Sequence, residues 1–275
     1  MMQSDKISLF LRILVYIAIS VVVCIFLLLV GYILIKGIPF LNLDSFAWEY
    51  NSKNVSMMPA IINTILIVFS SLIIAVPIGI FGAIYLVEYA KKSNKLISFI
   101  ELMSETLSGI PSIVFGLFGY LIFVVFLGFG YSFLSGTLTL SIMILPLIIK
   151  TTQEALKSVP LSYREGSLAL GAGKLRTIFS IILPSATSGI LSGIILSIGR
   201  IVGESAALIY TAGTLAQVFQ GFFDSGRSLS VHMYALLSEG LYMNEAYGAA
   251  CVLLCVVILL NLTSYLVVKY FSKER

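Results

Sequence analysis

Long apolar blocks alternate along this chain with short polar clusters. The blocks lie at about Leu9–Ile35, Pro59–Val87, Leu96–Leu127, Leu138–Ile149, Pro184–Tyr210 and Tyr247–Tyr270. Most exceed the roughly 20 residues that an α-helix needs to cross a bilayer. The fourth is short and interrupted by Pro146, and the second carries Pro77. The pattern predicts an all-α fold, a polytopic membrane helical bundle of about six transmembrane helices forming one domain over residues 1–275.

Composition agrees. Of 275 residues, 59% are hydrophobic and 11% charged, where a soluble domain carries about 25% charged residues. That balance excludes a soluble enzyme and a nucleic-acid-binding module. Lys6 and Arg12 before an apolar run resemble a signal peptide, but the run continues to Ile35 with no small-residue cleavage site after it. It is expected to be a retained first helix. Cys24, Cys251 and Cys255 lie inside apolar blocks with no CxxC pair, so neither a disulfide framework nor a metal site is indicated.

Charge placement predicts orientation. Thirteen basic residues (Lys6, Arg12, Lys91, Lys92, Lys95, Lys150, Lys157, Arg164, Lys174, Arg176, Lys269, Lys273 and Arg275) fall on one side of the predicted spans. Three, Lys36, Lys53 and Arg227, fall on the other. Basic loops stay inside, so both termini and the segment 151–177 are expected to be cytoplasmic. Two longer outer loops follow, at about Lys36–Met58 and Thr211–Ala246.

The cytoplasmic segment predicts two short helices. Thr151–Glu154 and Ser162–Glu165 each have capping-box spacing. Pro160 is placed to end the first helix, and Gly171 to close the second as a left-handed cap. That second helix would present Tyr163, Leu168 and Leu170. Apolar side chains on a short rigid helix suit a groove in another protein; an amphipathic helix on the lipid surface would use the same pattern. Gly171-Ala172-Gly173-Lys174 is not a phosphate-binding loop, because Leu168 and Leu175 stand where glycine and a hydroxyl residue are required.

The fifth block carries charge where hydrocarbon is expected. Ser185, Gly189, Gly193 and Ser197 form a small-residue stripe that lets another helix approach closely. Ser188, Ser192, Arg200 and Glu204 form a polar stripe beside it. Residues four apart share a helix face, so Arg200 and Glu204 can meet. Arginine at mid-membrane costs roughly 2.5–3.5 kcal/mol on insertion scales. Two readings stand: an internal ion pair that locks helix packing, or a path for an anion, since the planar guanidinium matches oxyanion oxygens. In the second, Glu204 would hold Arg200 while the path is empty, or accept a hydrogen bond from a protonated oxyanion.

Glu165-Gly166-Ser167, three residues, Gly171, nine residues, then Ile181-Ile182-Leu183-Pro184 resembles the EAA loop of ABC-importer permeases, with Gly166 and Ser167 where that family prefers alanine. Arg200-Ile201-Val202-Gly203-Glu204-Ser205-Ala206-Ala207-Leu208 resembles a stretch of phosphate ABC-transporter permeases, as does Leu107–Gly116. Leu229–Tyr234 is similar to the PstA type of subunit. The resemblance implies a type I importer permease fold and an ATPase-coupling role for Arg164, Glu165, Gly166, Ser167, Leu168 and Gly171. It implies substrate translocation by Arg200 and Glu204. The partners it implies are a paralogous permease forming a heterodimer, two ATP-binding subunits that bind the ATP, an external phosphate-binding protein, and membrane lipid. The compartment is then a bacterial or archaeal plasma membrane. Molybdate or sulfate is the alternative cargo.

A membrane-embedded enzyme would have to use Glu101, Glu105 or His232. No nucleophile–base pattern accompanies them, and His232 is alone on a loop, so no cofactor or metal is expected. Asn63 and Thr64 either line a path or bond a neighbouring helix.

Overall fold

A computed structural model of the chain describes residues 2–90, 95–240 and 242–273. Lys91, Lys92 and Arg275, used in the charge argument, lie outside the described residues. The helices are α1 Met2–Gly37, α2 Met58–Ile84, α3 Lys95–Ser108, α4 Ser112–Gly119, α5 Phe133–Ser158, α6 Leu161–Ala169, α7 Lys174–Thr177, α8 Leu183–Val202, α9 Ala206–Thr211, α10 Leu229–Glu239 and α11 Met243–Lys273. No strand occurs among the described residues. Among the described residues, five helices are long and apolar enough to cross a membrane, or six if the bent pair α3–α4 counts as one span. The chain is an all-α, multi-pass membrane protein.

Three boundaries differ from the apolar pattern, each for a local reason. The third block is not one helix: Ile97–Ser108 and Ser112–Phe126 meet at 106°. Pro111, with extended backbone angles, caps the second arm. The fourth block is longer than its apolar core. Ser132 caps α5 by accepting from the Ser135 amide at 3.2 Å, and the helix runs 26 residues straight through Pro146 to Ser158. Thr151 is therefore inside α5, where its hydroxyl donates back to Leu147 O at 2.9 Å, and it caps nothing. The fifth block ends early, at Val202, and resumes as α9.

α5 is the centre of the bundle. It packs between α2 and α8, and α4 rests on α5 and α9. The largest cluster of buried side chains includes Ile67, Leu140, Met143, Ile144, Ile148, Ile201, Leu208 and Val231. The small-residue stripe of α8 does what its spacing predicts. A Cβ on Gly189 would stand 2.6 Å from Ala155 Cβ, so the two helices approach backbone to backbone there. α1 is peripheral; its apolar span is exposed on nearly every side and packs on α11.

At the α10 end, α2 anchors the connecting segment. Asn63 is fully buried. Its Nδ2 donates to Gln217 O at 2.8 Å and Arg227 O at 3.1 Å, and its Oδ1 accepts from the Phe219 amide at 3.0 Å. Thr64 Oγ1 accepts from the Leu229 amide at 2.8 Å. Of the two readings for this pair, packing holds, because every polar atom of the Asn63 amide is used inside the fold. His232 is not loop-borne: it lies on α10, fully buried. Asn63→Ala removes the side-chain partner of three backbone groups, two of them in buried bonds, and is expected to destabilise by about 2–3 kcal/mol. A fall of roughly 5 °C or more in the thermal midpoint of the lipid-reconstituted chain checks this; an unchanged midpoint refutes the anchoring role.

Candidate functional site

Two features of the polar segments stand out in space, and α8 connects them. The first is α6. Pro160 precedes it, and Val159 is extended, as an X-Pro residue should be. At its far end the Gly171 amide donates to Leu168 O at 2.9 Å and the Ala172 amide to Ser167 O at 3.1 Å. Gly171 sits at φ +81°. This is a Schellman cap, which explains the glycine and disposes of the phosphate-loop resemblance. Leu161, not Ser162, is the first residue of α6, so the predicted capping box does not form.

The residues expected to act at this surface point in different directions. Tyr163, Leu168 and Leu170 are exposed, Leu170 at 91%. Glu165 and Gly166 are exposed as well, and a Cβ on Gly166 would meet nothing within 4 Å. Ser167 is buried, its hydroxyl 2.9 Å from Thr177 Oγ1. Arg164 turns inward. Its Nε and Nη2 both donate to Glu88 Oε1 at 3.1 Å, Nη1 donates to Val159 O at 2.9 Å, and Nη2 also donates to Leu156 O at 2.8 Å. Arg164 is a strut rather than a contact residue, and it ties α6 to the turn that ends α2. Lys174 Nζ donates to Glu88 O and lies 4.4 Å from the Tyr89 ring centroid. Sequence reasoning missed Glu88; the one available signal was a lone acid just before Lys91 and Lys92.

The second feature is Arg200. It lies in the last turn of α8, nearer the α10 end than mid-span, where a cation also meets the negative end of the helix dipole. It is half-buried and forms no hydrogen bond or ion pair among the described residues. Glu204 does not pair with it. The Gly203 amide reaches back to Gly199 O at 3.3 Å, α8 stops, and the i,i+4 relation no longer applies. Glu204 is buried instead; its Oε1 accepts from the Ala207 amide at 3.0 Å, capping α9, and its carbonyl accepts from Ser230 Oγ at 2.6 Å.

Arg200 lines a cavity of about 640 Å³ where α5, α8 and α11 meet. Leu147, Ser192, Ile195, Leu196, Gly199 and Asn261 complete the wall. Ser192 spends its proton on Ser188 O at 2.8 Å, leaving its lone pairs free to accept. Asn261 makes no hydrogen bond among the described residues. Its signal in sequence was an amide amid apolar residues of the sixth block. A guanidinium and an amide left unsatisfied at membrane depth belong on a hydrated path or against another subunit. The wall holds one cation, two neutral hydrogen-bonding groups and no carboxylate. Glu101 and Glu105 are elsewhere and exposed, with Glu105 4.0 Å from Lys150.

Residues 75–275 match the family described as binding-protein-dependent transport system inner membrane components. The chain belongs to this permease family. It is 32% identical over 263 residues to the probable ABC transporter permease protein YqgI of Bacillus subtilis (strain 168), covering 89% of each chain. It is 36% identical over 233 residues to the phosphate transport system permease protein PstA of Pasteurella multocida (strain Pm70), covering 82% of each. Its fold matches a chain of a bacterial alginate ABC transporter solved with an alginate-bound periplasmic protein. That match has a TM-score of 0.66 and 15% identity, and covers 92% of this chain and 93% of that one. The permease is thus an ABC-transporter membrane subunit of type I importer fold, and not an enzyme.

Removing one member of a buried ion pair strands the other. Arg164→Met in the permease is expected to free α6 and raise tryptic cleavage at Lys157 and Lys174 several-fold, with Gly166→Ala unchanged from the parent. Equal cleavage rates in all three proteins would contradict the strut.

Proposed function

We propose that this permease subunit carries inorganic phosphate into the cytoplasm, driven by ATP hydrolysis in a partner. The observation that carries the reading is Arg200, a membrane-embedded guanidinium with no counter-ion among the described residues, lining a cavity with Ser192 and Asn261. A phosphate monoanion presents two oxygens to the guanidinium edge and a P–O–H that Ser192 or the Asn261 carbonyl can accept. The PstA relative supports phosphate over other oxyanions; molybdate or sulfate is the competing cargo. Weak contact suits a carrier, because a tight site would hold its ion.

In this reading the exposed apolar side of α6, with Tyr163, Leu168 and Leu170, docks in a groove of an ATP-binding subunit. Glu165 and Gly166 flank that contact, Arg164 and Ser167 brace it from behind, and Gly171 shapes its end. Two ATP-binding subunits, a paralogous permease and an external phosphate-binding protein complete the transporter. The distribution of basic residues supports α6 and both termini in the cytoplasm, and a bacterial or archaeal plasma membrane goes with this reading.

Labelled-phosphate uptake by proteoliposomes of the full complex tests this. Arg200→Gln is expected to cut uptake roughly 100-fold, the loss of about 2–3 kcal/mol of charge-assisted contact, while the complex still assembles. Uptake at the parent rate would refute the role of Arg200; sulfate competing as well as phosphate would favour the other cargo. Glu204 acts by holding the α8–α9 break. Glu204→Gln keeps an acceptor for the Ala207 amide and is expected to retain more uptake than Glu204→Ala. Equal loss in both would return Glu204 to direct contact with the ion.

A further inference from the structure

A second arginine has no counter-charge among the described residues, and it is more deeply enclosed than Arg200. Arg227 is 5% exposed. Its backbone is fixed on both sides, the amide donating to Leu215 O at 3.0 Å and the carbonyl accepting from Asn63 Nδ2 at 3.1 Å. The Tyr50 ring covers one face of the guanidinium, with Cζ 4.8 Å from the ring centroid. Buried Nε and Nη2 have no hydrogen-bond partner. The ion pairs among the described residues are Arg164–Glu88 and Lys150–Glu105, and neither involves Arg227.

Arg164 shows what that bare edge is suited to. There Nε and Nη2 together hold one carboxylate oxygen at 3.1 Å. Arg227 presents the same pair of donors, buried, to no acceptor among the described residues. Beside it His232 is fully buried with both ring nitrogens unpartnered, its ring 6.2 Å from Tyr50 and at 88° to it. Burial, and then the charge of Arg227, push the imidazole down to about 3. It is therefore neutral at pH 7, able to donate one N–H and accept at the other nitrogen. An unpaired buried charge costs several kcal/mol, and four orphaned nitrogens in one place call for a ligand with oxygens to share.

We propose that Arg227 and His232 form a binding site for a small inorganic oxyanion, separate from the Arg200 cavity. Oxygens in the plane of the guanidinium would take Nε–H and Nη2–H, with Tyr50 over one of its faces, and His232 donates to a further oxygen. The enclosure by this chain's own residues favours a small ion over a carboxylate on a docking protein. Tyr50 and Arg227 belong to the two long segments at the α10 end, so an ion here bridges them.

The chain itself supplies the reporter, because His232 is its only histidine. The full chain, labelled with 15N in the imidazole and held in lipid nanodiscs, is titrated with inorganic phosphate at constant ionic strength. A saturable shift of the His232 resonance is expected, abolished by Arg227→Gln and retained in Arg200→Gln. Retention in Arg200→Gln keeps this site distinct from the transport reading, which stands or falls on uptake. No saturation in the parent chain would overturn the proposal. So would an equal response in Arg227→Gln, or loss of the response in Arg200→Gln. Arg227→Lys keeps the charge without the fork and is expected to weaken the midpoint by about ten-fold; an unchanged midpoint overturns the assigned geometry. Saturation by chloride at the same midpoint as phosphate would overturn the oxyanion assignment.

Discussion

A polar group removed from water must find its partner inside the fold, and this requirement sorts the polar residues of the bundle. Asn63 engages both polar atoms of its amide with three backbone groups, and Thr64 takes a fourth. Arg164 spreads its donors over a carboxylate and two carbonyls. Several serines and threonines on the spans return their protons to the preceding turn, as Ser197 does to Gly193 O at 2.9 Å. Thr137, Thr152 and Gln153 on α5 keep neutral atoms without a partner, and the charged exceptions gather in two places. Arg200 and Asn261 share one wall, and Arg227 and His232 share another place. In the proposed readings, each of these two charged sets awaits an ion that is not part of this chain.

Much of this was legible in the residues, because the signals involved were local. The apolar blocks announced a helical membrane protein. Gly171 announced its cap, since few residues other than glycine sit comfortably at φ +81°. The stripe Ser185, Gly189, Gly193, Ser197 announced a close helix neighbour, and α5 occupies it. What stayed hidden depended on where one chain segment meets another. Arg164 lies between residues that face outward, and nothing in its neighbourhood says that it turns back to Glu88, 76 positions earlier. Asn63 and Thr64 read equally well as path or packing until the segment around Gln217–Leu229 was laid over them. His232 sat in a stretch without an apolar block, and only the tertiary arrangement shows it sealed.

One continuous stretch of helix, Lys174–Val202, runs from beside the docking helix α6 to Arg200. Ser167 on α6 meets Thr177, at the end of α7, and the wide turn Ile178–Ile182 leads directly into α8. Along α8, the close contact of Gly189 with Ala155 presses that helix against the central α5 without an intervening side chain. A displacement of α6 therefore has little slack to take up before it reaches the last turn of α8, where Arg200 stands. Such packed interfaces respond by shifting as units rather than by bending side chains.

The break at Gly203 decides what Arg200 can do. Had α8 continued, Glu204 would have shared its face, and a carboxylate about 4 Å away at an effective dielectric near 20 would interact with the guanidinium by roughly 4 kcal/mol. An incoming anion would have to displace that partner, at a cost of about a thousand-fold in occupancy. Ending the helix one turn early sends the carboxylate to the Ala207 amide instead. The same glutamate then stabilises the start of α9, and the guanidinium is left facing Ser192 and Asn261, neutral groups that can share an oxyanion without competing for it. The sequence spacing that suggests an ion pair is, in the folded chain, the means of keeping the two charges apart.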